Sequence, residues 1–123
     1  MDLGLSYTST TIVSNTNTAL TLGSGDMDVF ATPAMVALME NAAMNAVAPH
    51  LEQGQTTVGT EISTTHIKAS ALGATITATA ILTAVDGRKL TFSVTAREGD
   101  TLIGTGTHTR FVVDRERGMS KLK

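Results

Sequence analysis

The sequence predicts an α+β fold in which one amphipathic helix packs against a run of antiparallel strands. Three observations carry this. A single long helical period lies between Pro33 and Pro49, and the segments after it alternate apolar and β-branched residues between glycine-containing turns. Threonine is unusually frequent, at 22 of 123 residues against one tyrosine and three phenylalanines, and β-branched side chains suit the half-buried surface of a sheet.

From Leu5 to Val13 a Ser/Thr-rich run ending in Ile12 and Val13 reads as a strand. Asn15 to Asp28, with Gly23, Ser24 and Gly25, reads as a loop with at most a short extended piece. Thr32-Pro33 opens the helix: a threonine hydroxyl can cap a free first-turn amide, and proline at the first helical position loses no needed donor. The helix runs to about Ala48, where Pro49 stops it. Met35, Val36, Met39, Ala42, Ala43, Ala46 and Val47 form its apolar stripe, with Asn41 and Asn45 opposite. Strands follow at Thr57 to Lys68 and Ala74 to Val85, separated by a break at Ala69 to Gly73. In the second, Ile76, Ala78, Ala80, Leu82 and Ala84 share one face against Thr75, Thr77, Thr79 and Thr83. Asp86-Gly87 makes a tight turn into the alternation of Leu90, Phe92, Val94 and Ala96. Glu98-Gly99-Asp100 turns again into a last strand, Leu102 to Val113, where Gly104 and Gly106 either bulge the strand or admit a close neighbour. Asp114 to Lys123 reads as a loose charged tail.

A chain of 123 residues makes one domain and can bury a core without staples. The net charge of -2, with nine basic residues scattered among eleven acids, excludes the basic surface that nucleic-acid binding needs. Cysteine is absent, which removes disulfides and thiol chemistry. No apolar run approaches a membrane span, and no basic residue and long apolar run mark a signal peptide, so a cytoplasmic protein is expected. A single helix cannot cover a wide sheet, which favours a second subunit.

Glu40 is the only charged residue between Val29 and Pro49, and its helical angle places it at the edge of the apolar stripe. A carboxylate partly withdrawn from water there suits general base or nucleophilic work, while the plainer alternative is a rim glutamate reaching solvent. Thr32 is first a helix cap, although a hydroxyl at a helix start also sits where developing negative charge is stabilised. His66 falls within a strand, where an isolated histidine is more often surface or core filler. His50 and His108 share no ligand spacing, so no metal site is expected, and Gly104 and Gly106 precede no helix that would make them a dinucleotide fingerprint.

Taken together, Val29-Phe30-Ala31-Thr32, Leu38-Met39-Glu40, Gly59-Thr60 with Thr65-His66, Gly87-Arg88 with Leu90, and Ile103 to His108 with Arg110 resemble the fluoroacetyl-CoA thioesterase-like hotdog proteins. The resemblance spans about residues 29 to 113 and implies an antiparallel sheet wrapped around one helix, dimerising by joined sheets. It implies an acyl-CoA thioesterase with Thr32, Glu40 and His66 as catalytic residues, and sites built from both chains of a homodimer, with pairing into a tetramer left open. Gly59 is a candidate for holding the thioester oxygen, and Arg110 for substrate or CoA contact, with a surface salt bridge as the alternative. No cofactor is implied beyond the CoA of the substrate. The resemblance also implies that fluoroacetyl selectivity needs an aromatic lid before the helix, yet Gly23 to Asp28 contains no aromatic residue. A small or medium acyl-CoA without that selectivity is therefore the expected substrate, and a non-catalytic hotdog module binding an acyl-CoA or related ligand is the alternative.

Overall fold

The computed structural model describes residues 1–123. Its elements are β1 (Ser6–Ile12), α1 (Ala19–Leu22), α2 (Thr32–Val47), a short 3-10 turn (Ala48–His50), β2 (Gln55–His66), β3 (Thr75–Asp86), β4 (Lys89–Glu98), β5 (Thr101–Asp114) and α3 (Arg115–Ser120). The strands form one antiparallel sheet in the order β1-β3-β4-β5-β2, so β1 and β2 are its edges. α2 packs on one face of it, touching β1, β2, β3 and β4. This is the expected α+β architecture, with one central helix. No helix is long and apolar enough to cross a membrane.

Small residues set how closely helix and sheet approach. Met35, Met39, Ala42, Ala43, Ala46 and Val47 of α2 are buried against Ile76, Ala78, Ala80 and Leu82 of β3 and Leu90, Phe92, Val94 and Ala96 of β4. A Cβ on Gly104 would stand 2.7 Å from the Met35 sulfur, so this glycine admits the helix, and the β4–β5 register shifts beside it between Ala96 and Arg97. Both alternatives raised for the last strand thus operate there. The turn between β3 and β4 has Gly87 at φ 59°, a conformation open to glycine at the first central position of a two-residue hairpin loop.

Four local expectations are corrected. Ala31, not Thr32, occupies the helix N-cap position, with no side-chain cap bond, and Thr32 is the first residue of α2. Within the stretch expected to be a loop, Thr18 caps the one-turn helix α1 through its bond from the Thr21 amide, and Thr18 also bridges to Phe30. Ala84 leaves the buried face of β3 because the register with β4 shifts between Leu82 and Ala84. The tail is not loose throughout, since the Asp114 carboxylate accepts from the Arg117 amide and starts α3.

Candidate active site

The segment before α2 is stitched to the segment after β2. Val29 bridges to Ala71 and the Phe30 amide donates to the Ser70 carbonyl, which carries the start of α2 alongside the end of β2. Thr32 and His66 meet there, with Thr32 Oγ1 2.7 Å from His66 Nδ1. Since Ala31 fills the cap position, the Thr32 hydroxyl is free for this contact. His66 Nε2 is shielded from water and has no hydrogen-bond partner, and the Phe30 ring meets the imidazole edge-on at 6.4 Å. Burial pushes the His66 pKa below its ordinary 6.5, partly opposed by the Lys68 backbone. Beside the pair opens a cavity of about 270 Å³ whose walls include Val29, Phe30, Ile67 and Lys68.

Glu40 belongs to a second cluster, two turns further along α2. Its side chain is 41% exposed, at the border expected from the stripe, and Oε2 lies 3.9 Å from Arg110 Nη1. Arg110 itself is only 6% exposed. It donates from Nε to Thr57 Oγ1 at 2.8 Å and from Nη2 to the Thr57 carbonyl at 3.0 Å. Burial lowers the Arg110 pKa while the Glu40 carboxylate raises it, and a guanidinium stays charged throughout. Gly59, next to a register shift in β2, leaves the space this cluster fills: a Cβ there would stand 2.8 Å from Glu40 Oε2, 3.1 Å from His108 Cε1 and 3.2 Å from Arg110 Nη1.

The chain therefore joins Thr32 to His66, and Glu40 to Arg110 and Gly59, as two separate groups. The eight-position step along the helix from Thr32 to Glu40 corresponds to about 12 Å along the axis. Arg110, a candidate substrate contact in the sequence, spends its donors inside the protein on Thr57 and His108. His108, which has no metal-ligand spacing in the sequence, is 1% exposed and bonded to Arg110. Its signal was parity: it stands two residues from Arg110, on the same inward face of β5.

Residues 13–116 match the family described as fluoroacetyl-CoA-specific thioesterase, FlK. Over 96 residues the chain is 46% identical to the fluoroacetyl-CoA thioesterase of Streptantibioticus cattleyicolor, covering 78% of this chain and 69% of that one. The solved structure of the fluoroacetyl-CoA thioesterase FlK superposes with a TM-score of 0.91 at 39% identity, covering 99% of this chain and 95% of that one. A mutant FlK in complex with fluoroacetate and CoA gives a TM-score of 0.89 at 40% identity, over 96% and 99% of the two chains. A thioesterase superfamily member from Thermus thermophilus, 24% identical, shares the fold with a TM-score of 0.90 over 98% of this chain and 90% of that one.

Proposed function

This chain belongs to the fluoroacetyl-CoA-specific thioesterase family, and from that premise we propose that it is an acyl-CoA thioesterase for small or medium acyl groups, without fluoroacetyl selectivity. The observation that carries the reading is the Thr32–His66 pair, 2.7 Å apart at the start of α2 and opening on the 270 Å³ cavity. Hydrolysis needs a base or nucleophile, donors for the thioester oxygen as it gains charge, and a proton for the departing sulfur. Glu40 supplies the base or the attacking carboxylate. Thr32, with the free amides at the start of α2 and the Gly59 backbone, holds the oxygen, and His66, neutral at rest, relays to the departing sulfur the proton released by the attacking water. Water and thioester are consumed, and free acid and CoA are released. The reaction needs no cofactor beyond the CoA of the substrate, and we place the enzyme in the cytoplasm.

A homodimer is part of this proposal. β2 is a twelve-residue edge strand, long enough to pair with a second copy of itself. Antiparallel pairing of two such edges sets the His66 end of one against the Gly59 end of the other. That brings the partner's Glu40 towards Thr32 and His66, joining the two groups that one chain keeps apart. Co-expressing His66→Ala with Glu40→Gln tests it: half the dimers would be mixed, each with one intact site, restoring about a quarter of wild-type turnover. No restoration would mean that each site is made from one chain.

Selectivity is addressed by the approach to the cavity. No aromatic residue lies between Tyr7 and Phe30, and Ser24 lines the cavity where an aromatic lid would be needed. Free-thiol release should be followed with acetyl, fluoroacetyl, short branched, medium-chain and aryl CoA thioesters, with Glu40→Gln as the control. The expected result is turnover of acetyl and fluoroacetyl thioesters at similar efficiency, abolished in the variant. Retained acyl-CoA binding with no turnover of any member would make the chain a binding module instead.

A further inference from the structure

His108 touches none of the reacting positions, yet both of its nitrogens are committed. Its ring is 1% exposed and lies 6.2 Å from the Phe92 ring. Nδ1 is 2.7 Å from the Glu61 carbonyl, beside the register shift in β2, and Nε2 is 3.2 Å from Arg110 Nη1. A carbonyl can only accept and a guanidinium can only donate. The two partners together therefore admit one state of the ring: neutral, with the proton on Nδ1 and Nε2 accepting from Arg110. A protonated ring would set an N–H against the guanidinium, and an apolar ring of the same size would leave both partners unpaired.

The consequence falls on Arg110. Thr57 takes its Nε and Nη2 donors, and His108 takes one hydrogen of Nη1, so the planar guanidinium is held at three points. The second Nη1 hydrogen remains for the Glu40 carboxylate, 3.9 Å away. Gly59 closes this arrangement from the strand side, since a Cβ there would crowd Glu40, His108 and Arg110 at once. We infer that His108 is a positioning residue for the hydrolysis, anchored on the Glu61 carbonyl and holding Arg110 so that Arg110 orients Glu40. This inference rests on the thioesterase reading above.

Two substitutions separate the halves of the ring. In His108→Gln the amide oxygen reaches the place of Nε2 and still accepts from Arg110. In His108→Asn the amide nitrogen takes the place of Nδ1 and still donates to Glu61, with no acceptor left for Arg110. With an acyl-CoA that the wild type hydrolyses, His108→Asn should lower kcat at least about tenfold with KM little changed, while His108→Gln should keep kcat within about threefold. Unchanged kcat in His108→Asn, or equal losses in both variants that track their Tm, would overturn the inference and leave His108 a packing residue. Long-range proton–nitrogen correlation spectra of the wild type should independently show the Nδ1–H tautomer at neutral pH, and an Nε2–H ring would refute the geometry. Lack of turnover in the wild type would remove the thioesterase reading and any role in hydrolysis with it, and the tautomer distinguishes that failure from a failure of the geometry.

Discussion

His66 and His108 both face α2 from the concave side of the sheet, and they are finished differently. His66 has one side-chain partner, the Thr32 hydroxyl, and lies near the Lys68 backbone, next to an open cavity. His108 has a partner on each nitrogen and almost no exposure. A hydroxyl can donate or accept, so the Thr32–His66 bond fixes no proton position, whereas a carbonyl and a guanidinium fix it completely. An unassigned proton beside a cavity suits transfer. A fully assigned one suits holding a neighbour in place. The Thr32 contact and the cavity beside it make His66 the sharper pointer to chemistry.

The largest effects should come from the groups that react. His66→Ala and Glu40→Gln are each expected to lower turnover at least about a hundredfold, the lower end for acid–base groups. Near-normal rates in either variant would break the contrast between a working pair and a supporting network. Gly59→Ala comes next, because its Cβ would stand 2.8 Å from Glu40 Oε2. Glu40 is half-exposed and can swing away, but His108 and Arg110, at 3.1 and 3.2 Å, are buried and must shift, so kcat should drop about tenfold together with a fall in Tm. A large Tm loss with unaltered kcat would instead show that this glycine only relieves packing.

Smaller effects probe the support itself. Thr57→Val removes the acceptor for Arg110 Nε and should cost about 1–3 kcal/mol in denaturant unfolding, with Thr57→Ser restoring most of it. No loss of stability would show that Arg110 finds another acceptor. The smallest expected signal is a pH dependence of Tm. Burial holds both histidines below 6.5, so the folded protein keeps them neutral where the unfolded chain takes up protons. Their contribution is present above 6.5 and is lost as pH falls from there through the lowered folded values. Tm should therefore fall on acidification below 6.5, less steeply in His108→Gln. The same slope in both proteins would remove His108 from that account.

What could be read in advance followed the range of the forces involved. Pro33, Pro49 and the Met/Ala stripe specify α2, and the alternation of β4 matches its buried face at Leu90, Phe92, Val94 and Ala96. Glu40 stands out as the only charge in its helix and by its angle at the stripe's edge, and its partial exposure agrees. Local rules yield where a longer-range partner competes. Thr32 suits a cap, but Ala31 takes that place and leaves the hydroxyl to a residue 34 positions away. Ala84 fits the alternation, but a register shift turns it outward.

By itself, then, the sequence determined α2, the five strands, most of their buried faces and the residue types available for hydrolysis, because periodicity, proline geometry and β-branching act between near neighbours. Only the tertiary structure decided that Thr32 meets His66, that Arg110 turns inward to Thr57 and Glu40, and that His108 carries its proton on Nδ1. Those pairings depend on sheet register and on where α2 crosses the sheet, and no residue's own neighbours in the chain encode either.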